Sequence, residues 1–332
     1  MNYIGSKLKL CQKFLPETVE SVCGTDLSQK TFCDIFAGTG IVGRTFKTSV
    51  HKVISNDIEY YSYVLNKNYI ENHRPLENAE MLVSELNKVS PCEDGFIYKN
   101  YCLGGNGERQ YFSDENGKKI DSIRIKIEEW KDNGKINQNM YYFLLASLLE
   151  SADKVANTAS VYGAYLKKLK KSAQKKMVLE PANFEINDNE HVVERCDAND
   201  LIKKISGDIL YLDPPYNSRQ YGANYHLLNT IAEYKPFIPK GKTGLRDYTR
   251  SKYCSASTVK QEFEDLIRNA NFKYIFLSYN NEGLMSVDDV KKIMQKYGHY
   301  DLAQTDYQRF KADSNRFNKA SATVEYLHIL EK

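Results

Sequence analysis

The stretch FCDIFAGTGIVGRTF, residues 32–46, decides the fold class of this 332-residue chain. The apolar run 32–36 predicts a buried strand, the glycines at 38 and 40 predict a tight turn, and IVGRTF predicts a helix. A second apolar strand, KVISND (52–57), is followed by the helical pattern EYYSYVLNKNYIEN. Strands that alternate with helices in this way indicate βαβ units and a parallel sheet.

The same alternation returns late in the chain. It comprises DILYLD (208–213), TVKQEFEDLIRNA, KYIFLSY (273–279), VDDVKKIMQKYG and the closing strand TVEYLHILE. Between these two parts of the chain, strands and helices no longer alternate. Two segments there have helical patterns: NQNMYYFLLASLLESADKVAN and YGAYLKKLKKSAQKKMVLE. We therefore predict one α/β domain built from residues 1–74 and 191–332, interrupted by a mainly helical insertion at 75–190.

Composition excludes several classes of protein. The net charge is only +3, and the longest apolar run, 141–149, is too short to cross a bilayer, so no membrane association is expected. The first residues, MNYIGSKLKL, lack a secretory pattern, which favours the cytoplasm. The seven cysteines show no C-x-x-C spacing and the histidines no H-E-x-x-H pattern, so neither disulfides nor a metal site is predicted.

The glycine turn after the first strand is a candidate ligand site. Gly38 and Gly40 let a ligand approach backbone that a Cβ would block, although short glycine turns are also common without any ligand. Asp57 ends the second strand 19 residues after Gly38, where an acid accepts hydrogen bonds from ribose hydroxyls in nucleotide-type folds. Asp57 is equally suited to cap the next helix. Gly43 completes G-x-G-x-x-G, so a dinucleotide stays an alternative, but no phosphate-binding lysine motif accompanies it.

The second candidate site is LYLDPPY, residues 210–216. Two prolines cannot continue a helix or pair inside a sheet, so the strand must stop at Asp213 with a stiff, carbonyl-rich segment. Plain turn chemistry with an aromatic ring on the core is the simpler explanation.

Taken together, YIGSK, DIFAGTG, NDI and LYLDPPY resemble the motifs of S-adenosylmethionine-dependent DNA adenine-N6 methyltransferases, the Dam-like group of the D12 class found in type II restriction–modification systems. The resemblance covers residues 1–74 and 191–332 and leaves most of the insertion unmatched. It implies a Rossmann-like methyltransferase fold, with residues 75–190 as a DNA target-recognition region.

The resemblance implies roles for the residues of the second site. The Asp213 carboxylate and the Pro214 carbonyl would accept the two N–H groups of an exocyclic amine, Pro215 would stiffen the segment, and Tyr216 would stack on the base. The target base must be flipped out of the duplex to reach them.

The resemblance also implies a binding set for S-adenosyl-L-methionine, with no metal. The residues are Tyr3, Lys7, Asp34, Phe36, Gly38, Gly40, Asp57, Ile58, Asp197 and Asp213. Asp34 and Asp197 fit turns or helix caps equally well, and Lys7 fits a flexible basic terminus.

Three basic segments are candidates for contact with double-stranded DNA, with a solvated surface as the alternative. Their residues include Lys167, Lys168, Lys170 and Lys171 in the predicted second helix, Arg219, Gln220, Arg246, Arg250 and Lys252 after the second site, and Arg309 and Arg316 near the end. The interpretation is thus a monomeric enzyme that methylates adenine N6 in a short DNA sequence, beside an endonuclease with which it forms no stable complex. Cytosine N4, an RNA base and a non-enzymatic binding module are the alternatives.

Overall fold

The computed structural model describes residues 7–308 and 322–332, and its strands form a seven-stranded sheet. The strands are β1 (Thr31–Asp34), β2 (Lys52–Asn56), β3 (Val192–Glu194), β4 (Ser206–Leu212), β5 (Asn271–Asn280), β6 (His299–Gln308) and β7 (Ala322–Glu331). Their order across the sheet is β3-β2-β1-β4-β5-β7-β6. β1 to β5 are parallel, and β7 runs antiparallel between β5 and β6. The predicted α/β class with a mostly parallel sheet is confirmed.

Helices connect the strands and build the middle of the chain. They are α1 (Leu8–Cys11), α2 (Phe14–Cys23), α3 (Ile41–Phe46), α4 (Tyr60–Asn66), α5 (Ala79–Asn87), α6 (Phe96–Tyr101), α7 (Asp114–Asp132), α8 (Gln138–Val155), α9 (Ala198–Leu201), α10 (Tyr221–Asn224), α11 (His226–Glu233), α12 (Val259–Asn269) and α13 (Val287–Met294). A π-helical turn at Lys67–Glu71 extends α4, and a 3₁₀ turn occupies Lys252–Cys254.

Contacts along the chain define two compact units. The sheet unit contains the described residues of 7–66, 185–220 and 250–332, and the helix-rich unit contains Lys67–Phe184 and Tyr221–Thr249. The segment 221–249 belongs to the helix-rich unit because the Arg124 guanidinium donates to the carbonyls of Ile231 and Ala232, both at 3.0 Å. No local pattern in 221–249 reveals those distant partners, and the predicted insertion, 75–190, does not include it. Target recognition by the insertion stays a prediction.

The core of the sheet unit follows from the apolar strands. Cys33, Leu210 and Ile275 lie on three adjacent strands and are fully buried, as expected for a parallel sheet covered on both faces. α12 packs its apolar stripe, which includes Phe263 and Leu266, into the same cluster. Burial of a large apolar side chain contributes about 2 kcal/mol, so this shared core sets the positions of the strand ends.

The first of the two helices predicted in the insertion is confirmed as α8, and almost its whole surface is buried. The second prediction, a helix over 162–180, is wrong: this lysine-rich segment contains only turns and extended stretches. Asn157 Nδ2 donates to the Leu166 carbonyl at 2.9 Å, and its Oδ1 accepts from the Lys170 N–H at 3.0 Å. Asn116 similarly binds the Lys175 carbonyl and the Met177 N–H. These two side chains satisfy backbone groups that helical hydrogen bonds would otherwise use.

Candidate active site

The two predicted sites meet at one edge of the sheet. β1 pairs with β2 on one side and with β4 on the other, and Asp34 lies opposite Tyr211. The chain therefore leaves β1 and β4 at neighbouring positions, where the strand order reverses. In open α/β sheets this switch point at the carboxyl ends is where ligands bind.

The glycine turn at this edge needs its glycines for conformational reasons. Gly38 has φ 54° and Gly40 has φ 79°, values in the left-handed region. A Cβ on Gly40 would lie 2.6 Å from Asn66 Oδ1. Asn66 Nδ2 donates to the Gly38 carbonyl at 3.1 Å, and Phe36 packs edge-on against Tyr253. The turn is thus a rigid backbone cradle at the end of β1.

Asp57 holds this turn. Its Oδ2 accepts from the Gly38 N–H at 2.8 Å, and its Oδ1 accepts from the Glu59 N–H at 2.9 Å. Burial raises the pKa of the Asp57 carboxyl, and these two N–H donors oppose the rise. Asp57 therefore anchors the start of the next helix, as one of its two interpretations requires, and contact with a ribose stays a prediction. The neighbouring Ile58 carbonyl accepts from Arg195 Nε at 3.3 Å.

The second predicted site follows β4 immediately. Pro214 is buried, Asp213 and Pro215 are half-buried, and the Tyr216 carbonyl accepts from the Leu284 N–H at 2.9 Å. The Tyr216 hydroxyl donates to Asp213 Oδ1 at 2.7 Å. Its ring lies 4.9 Å from the ring of Tyr279, at an angle of 57°. Stacking of Tyr216 on a base stays a prediction.

A buried charged group joins Asp213 to both ends of the chain. We call this set the Lys7 cluster: Lys7, Asp213, Tyr216, Ser278 and Glu325. The Lys7 ammonium lies 3.3 Å from Asp213 Oδ1 and 2.5 Å from Glu325 Oε1, and it also donates to the Tyr216 hydroxyl. Only 5% of the Lys7 side chain is exposed, so its three N–H donors are directed into the protein and not toward solvent.

The charges of the Lys7 cluster stabilise one another. Burial lowers the pKa of the Lys7 ammonium, but the charges of Asp213 and Glu325 outweigh that effect and raise the pKa above its usual value. Burial raises the pKa of the Asp213 carboxyl to about 6, although Lys7 and the Tyr216 hydroxyl oppose the rise. Burial also disfavours ionised Glu325, yet Lys7 holds the Glu325 pKa below its usual value. Asp213 and Glu325 are therefore ionised carboxylates at neutral pH.

The carboxyl groups of Asp213 and Asp34 at this edge can accept further hydrogen bonds. Among the described residues, Asp213 Oδ2 has no hydrogen-bond donor, whereas Oδ1 accepts from Tyr216. Asp34 is 1% exposed, and within the described chain neither of its oxygens has a partner. Burial raises the Asp34 pKa well above its usual value, the charges of Asp213 and Asp57 add to the rise, and nearby N–H groups oppose it only weakly. Both carboxyl groups can therefore accept hydrogen bonds from a ligand.

Asp197 lies at an exposed position before α9. Its Oδ1 accepts from the Asn199 N–H at 2.8 Å, which makes it the N-cap of that helix. Contact with a cofactor stays a prediction. Tyr3 lies outside the described residues.

Sequence reasoning missed Glu325 and Ser278. In the strand pattern TVEYLHILE, the glutamate at 325 looks like one solvent-facing charge among alternating residues. The structure buries it, at 3% exposure, and pairs it with Asn280 across the sheet. No local signal distinguishes it, because its partners Lys7 and Tyr216 are distant in sequence.

The lysine-rich segment presents free cations. Lys167, Lys168, Lys171, Lys175 and Lys176 are exposed, and none has an ion-pair partner among the residues that the structure describes. Lys170 differs, since its ammonium donates to the Thr158 carbonyl at 2.8 Å.

The other residues predicted to contact DNA differ in whether they already have partners within the protein. Gln220 binds the backbone of Ser251, and Lys252 lies 3.2 Å from Glu262. Arg246 pairs with Glu233 and lies over the ring of Phe237. Arg219 and Arg250 are exposed. Arg309 and Arg316 fall outside the described residues, as do Lys311 and Lys319 in the same segment.

Within 7–308 and 322–332, no three His, Cys, Asp or Glu side chains come together as a metal site. No helix in that part of the chain has the length and apolar character needed to span a membrane.

Comparison with known proteins adds the chemistry that such a site performs elsewhere. Residues 3–293 match the family model of the D12 class N6 adenine-specific DNA methyltransferases. The type II methyltransferase M.NlaIII of Neisseria lactamica is 66% identical, over 100% of this chain and 99% of that protein. M.CviAII of Paramecium bursaria Chlorella virus 1 is 39% identical over 94% of this chain and 93% of its own. M.FokI of Planomicrobium okeanokoites is 38% identical over 100% of this chain, which spans 53% of that protein.

Proposed function

The chain belongs to the D12 class of N6 adenine-specific DNA methyltransferases, and from that premise we propose that Asp213 and Pro214 activate the adenine amino group within a short duplex-DNA sequence. We also propose that the enzyme is the modification partner of a type II restriction–modification system, because its relatives bear type II names. In such a system it would act as a monomer and without a stable complex with the endonuclease. The observation that supports the chemistry best is the unpartnered Oδ2 of Asp213 at the switch point.

The mechanism addresses a weak nucleophile. The amino nitrogen of adenine shares its lone pair with the ring and attacks only when that conjugation is reduced. Asp213 Oδ2 would accept one N–H of the amine, and the Pro214 carbonyl would accept the other. Both acceptors favour a more tetrahedral nitrogen and stabilise the positive charge that develops there. Pro214 and Pro215 restrict the backbone, so little conformational freedom is lost when the base binds.

S-Adenosyl-L-methionine would supply an electrophilic methyl group on a positively charged sulfur. The residues at the switch point fit such a ligand: Gly38 and Gly40 expose backbone, and the Asp34 carboxyl has no hydrogen-bond partner among the described residues. Phe36, Asp57, Ile58 and Asp197 complete the proposed binding set, with Tyr3 and Lys7 from the start of the chain. Lys7 would act mainly by holding Asp213, because its ammonium already has acceptors inside the protein.

The target base must be flipped out of the DNA duplex before Asp213 and Pro214 can reach its amino group. Extrusion of one base costs a few kcal/mol, which contacts to phosphates and to the flipped base must offset. We propose the exposed lysines of the 162–180 segment as phosphate contacts, with Arg219 and Arg250 as further candidates.

A single experiment tests the proposed reaction. The purified enzyme is incubated with unmethylated genomic DNA and S-adenosylmethionine, and modification-sensitive sequencing then identifies the altered base. We expect N6-methyladenine at one short sequence and none with the Asp213→Asn variant. N4-methylcytosine, or transfer to RNA alone, would contradict the proposal.

Replacing Asp57 with alanine should weaken cofactor binding by about 1–3 kcal/mol, or roughly fivefold to 150-fold. The change removes the proposed ribose acceptor and also releases the glycine turn from the Gly38 N–H. Calorimetric titration with S-adenosylhomocysteine measures the affinity. Asp26→Ala is the matched control, since the exposed Asp26 carboxylate also accepts a backbone N–H two positions along, from Ser28 at 2.9 Å, and belongs to no proposed site. An unchanged affinity for Asp57→Ala would assign that residue to folding alone.

Neutralising Lys167, Lys168 and Lys171 together should reduce the salt dependence of DNA binding. Each phosphate contact contributes a slope of about 0.9 in a plot of log affinity against log salt concentration, so we expect a loss of about 2–3. Fluorescence anisotropy with a nonspecific duplex measures the slope. A triple control at Lys203, Lys260 and Lys296, which pair with carboxylates, should leave it unchanged. Equal slopes for both triple variants would exclude the segment from the DNA interface.

A further inference from the structure

The carboxylate of Glu325 lies close to Asp213, the proposed acceptor for the amino group of the base. It comes early in β7, which runs antiparallel to β5, and it pairs with Asn280 at the carboxyl end of that strand. This places it at the same edge as Asp213, although it lies beyond residue 293, where the family match ends.

One oxygen of Glu325 collects three donors. Oε1 accepts from the Lys7 ammonium at 2.5 Å and from the Ser278 hydroxyl at 2.7 Å, and it lies 2.8 Å from the Tyr216 hydroxyl, whose single proton Asp213 can also accept. The residue is 3% exposed, so water does not screen these interactions strongly. Such a buried carboxylate is stable only because it is paired and hydrogen-bonded.

Glu325 and Asp213 compete for the same two donors. The Lys7 ammonium is 0.8 Å nearer to Glu325 than to Asp213, as the distances of 2.5 and 3.3 Å show. The Tyr216 hydroxyl has one proton and lies almost equally far from both carboxylates, at 2.7 Å from Asp213 and 2.8 Å from Glu325. When Glu325 binds these two donors more strongly, they compensate the negative charge of Asp213 less.

We propose that Glu325 is a positioning residue for methyl transfer: it draws the Lys7 ammonium away from Asp213, so that Lys7 does not compensate the Asp213 charge and one oxygen stays free for the amino group of the base. Without Glu325, Lys7 would move onto Asp213 and neutralise the acceptor. The inference rests on the proposed role of Asp213. It adds a residue that contacts neither substrate nor cofactor and acts through Lys7 and Tyr216.

The proposal also predicts how the reaction responds to pH. Titratable groups face Asp213 from several elements: Lys7, Cys11, Asp34, Tyr211, Tyr216 and Glu325. Among them, Lys7 lowers the Asp213 pKa and the Glu325 charge raises it, whereas burial keeps it at about 6. Activity requires ionised Asp213, so the rate should fall as the pH drops below about 6. This fall in rate is the acid limb of the pH–rate profile, and removing the Glu325 charge should move it to lower pH.

The test is Glu325→Gln, which removes the charge and keeps the size of the side chain. Single-turnover methyl transfer is followed on a duplex that contains the recognition sequence, across pH 5–8.5. We expect the plateau rate to fall about tenfold to a hundredfold, less than the loss of a direct contact would cause. We expect the acid limb to move down by about one pH unit. A purely structural role would lower the active fraction and leave the limb in place.

Two further variants make the outcome decisive. Glu331→Gln, on the same strand but with its side chain 48% exposed, should match the parent in rate and pH profile. Glu325→Asp keeps the charge but withdraws it by one methylene, so it should shift both quantities in the same direction by less, and it serves if Glu325→Gln does not fold. Parental rates and limbs in the folded Glu325 variants would overturn the inference. Absence of transfer by the parent enzyme would instead overturn the proposed function.

Discussion

Asp213→Asn should lower the rate of methyl transfer by about a hundredfold to a thousandfold, the scale expected when a preorganised polar contact to the transition state is lost. The asparagine amide would present N–H donors, or at best a neutral oxygen, where the carboxylate Oδ2 faces an incoming amine. The developing positive charge would lose its nearest counter-charge. Single-turnover kinetics on a duplex substrate measures the effect.

The Asp213 substitution should leave the fold nearly intact. Lys7 still has Glu325 at 2.5 Å, so the variant does not leave a buried cation without a partner. Asp208→Asn, at the other end of β4, is a matched control that should keep the parental rate. A folded Asp213→Asn enzyme with parental activity would remove Asp213 from the mechanism.

Lys7→Met should destabilise the folded protein by about 3–5 kcal/mol, the range for breaking a buried ion pair by removing one partner. Methionine fills similar space but leaves Asp213 and Glu325 as two buried anions without a cation. Their protonation relieves that repulsion, so the loss of stability should be larger at pH 8 than at pH 5. Urea unfolding at the two pH values measures it, and methyl transfer should fail in parallel.

Controls separate this effect from a general one. Lys13→Met changes a side chain that is 78% exposed and should alter stability by less than about 0.5 kcal/mol. The double variant Lys7→Met/Glu325→Gln should recover part of the stability, because one of the two uncompensated charges is gone. A single variant as stable as the parent would show that Lys7 does not stabilise the buried carboxylates.

Much of the sheet and the candidate site was predictable because their signals are local. Mainly apolar runs of five or six residues that end on Phe36, Asp57 and Asp213 indicate strands, and the carboxyl ends of parallel strands share one edge. The predicted glycine turn and proline-rich segment therefore come together at the switch point of the sheet. Family resemblance supplied the chemistry.

The features that escaped prediction depend on long-range partners. The segment 162–180 is rich in helix-forming lysine and leucine, yet Asn116 and Asn157 bind its backbone in a non-helical form. Glu325 has the local pattern of a surface charge and becomes a site residue only through Lys7 and Tyr216. Neither outcome follows from spacing or composition within a short window.

The proposed role of Glu325 has a consequence for protein synthesis, because its partner Lys7 lies 318 positions earlier in the chain. A ribosome extends a chain at about 5–20 residues per second, so β7 emerges seconds after β4. A nascent chain that has passed Asp213 but not Glu325 would hold Lys7 directly against its own acceptor. Translation would then yield a mature methylating site only after the final strand has been inserted.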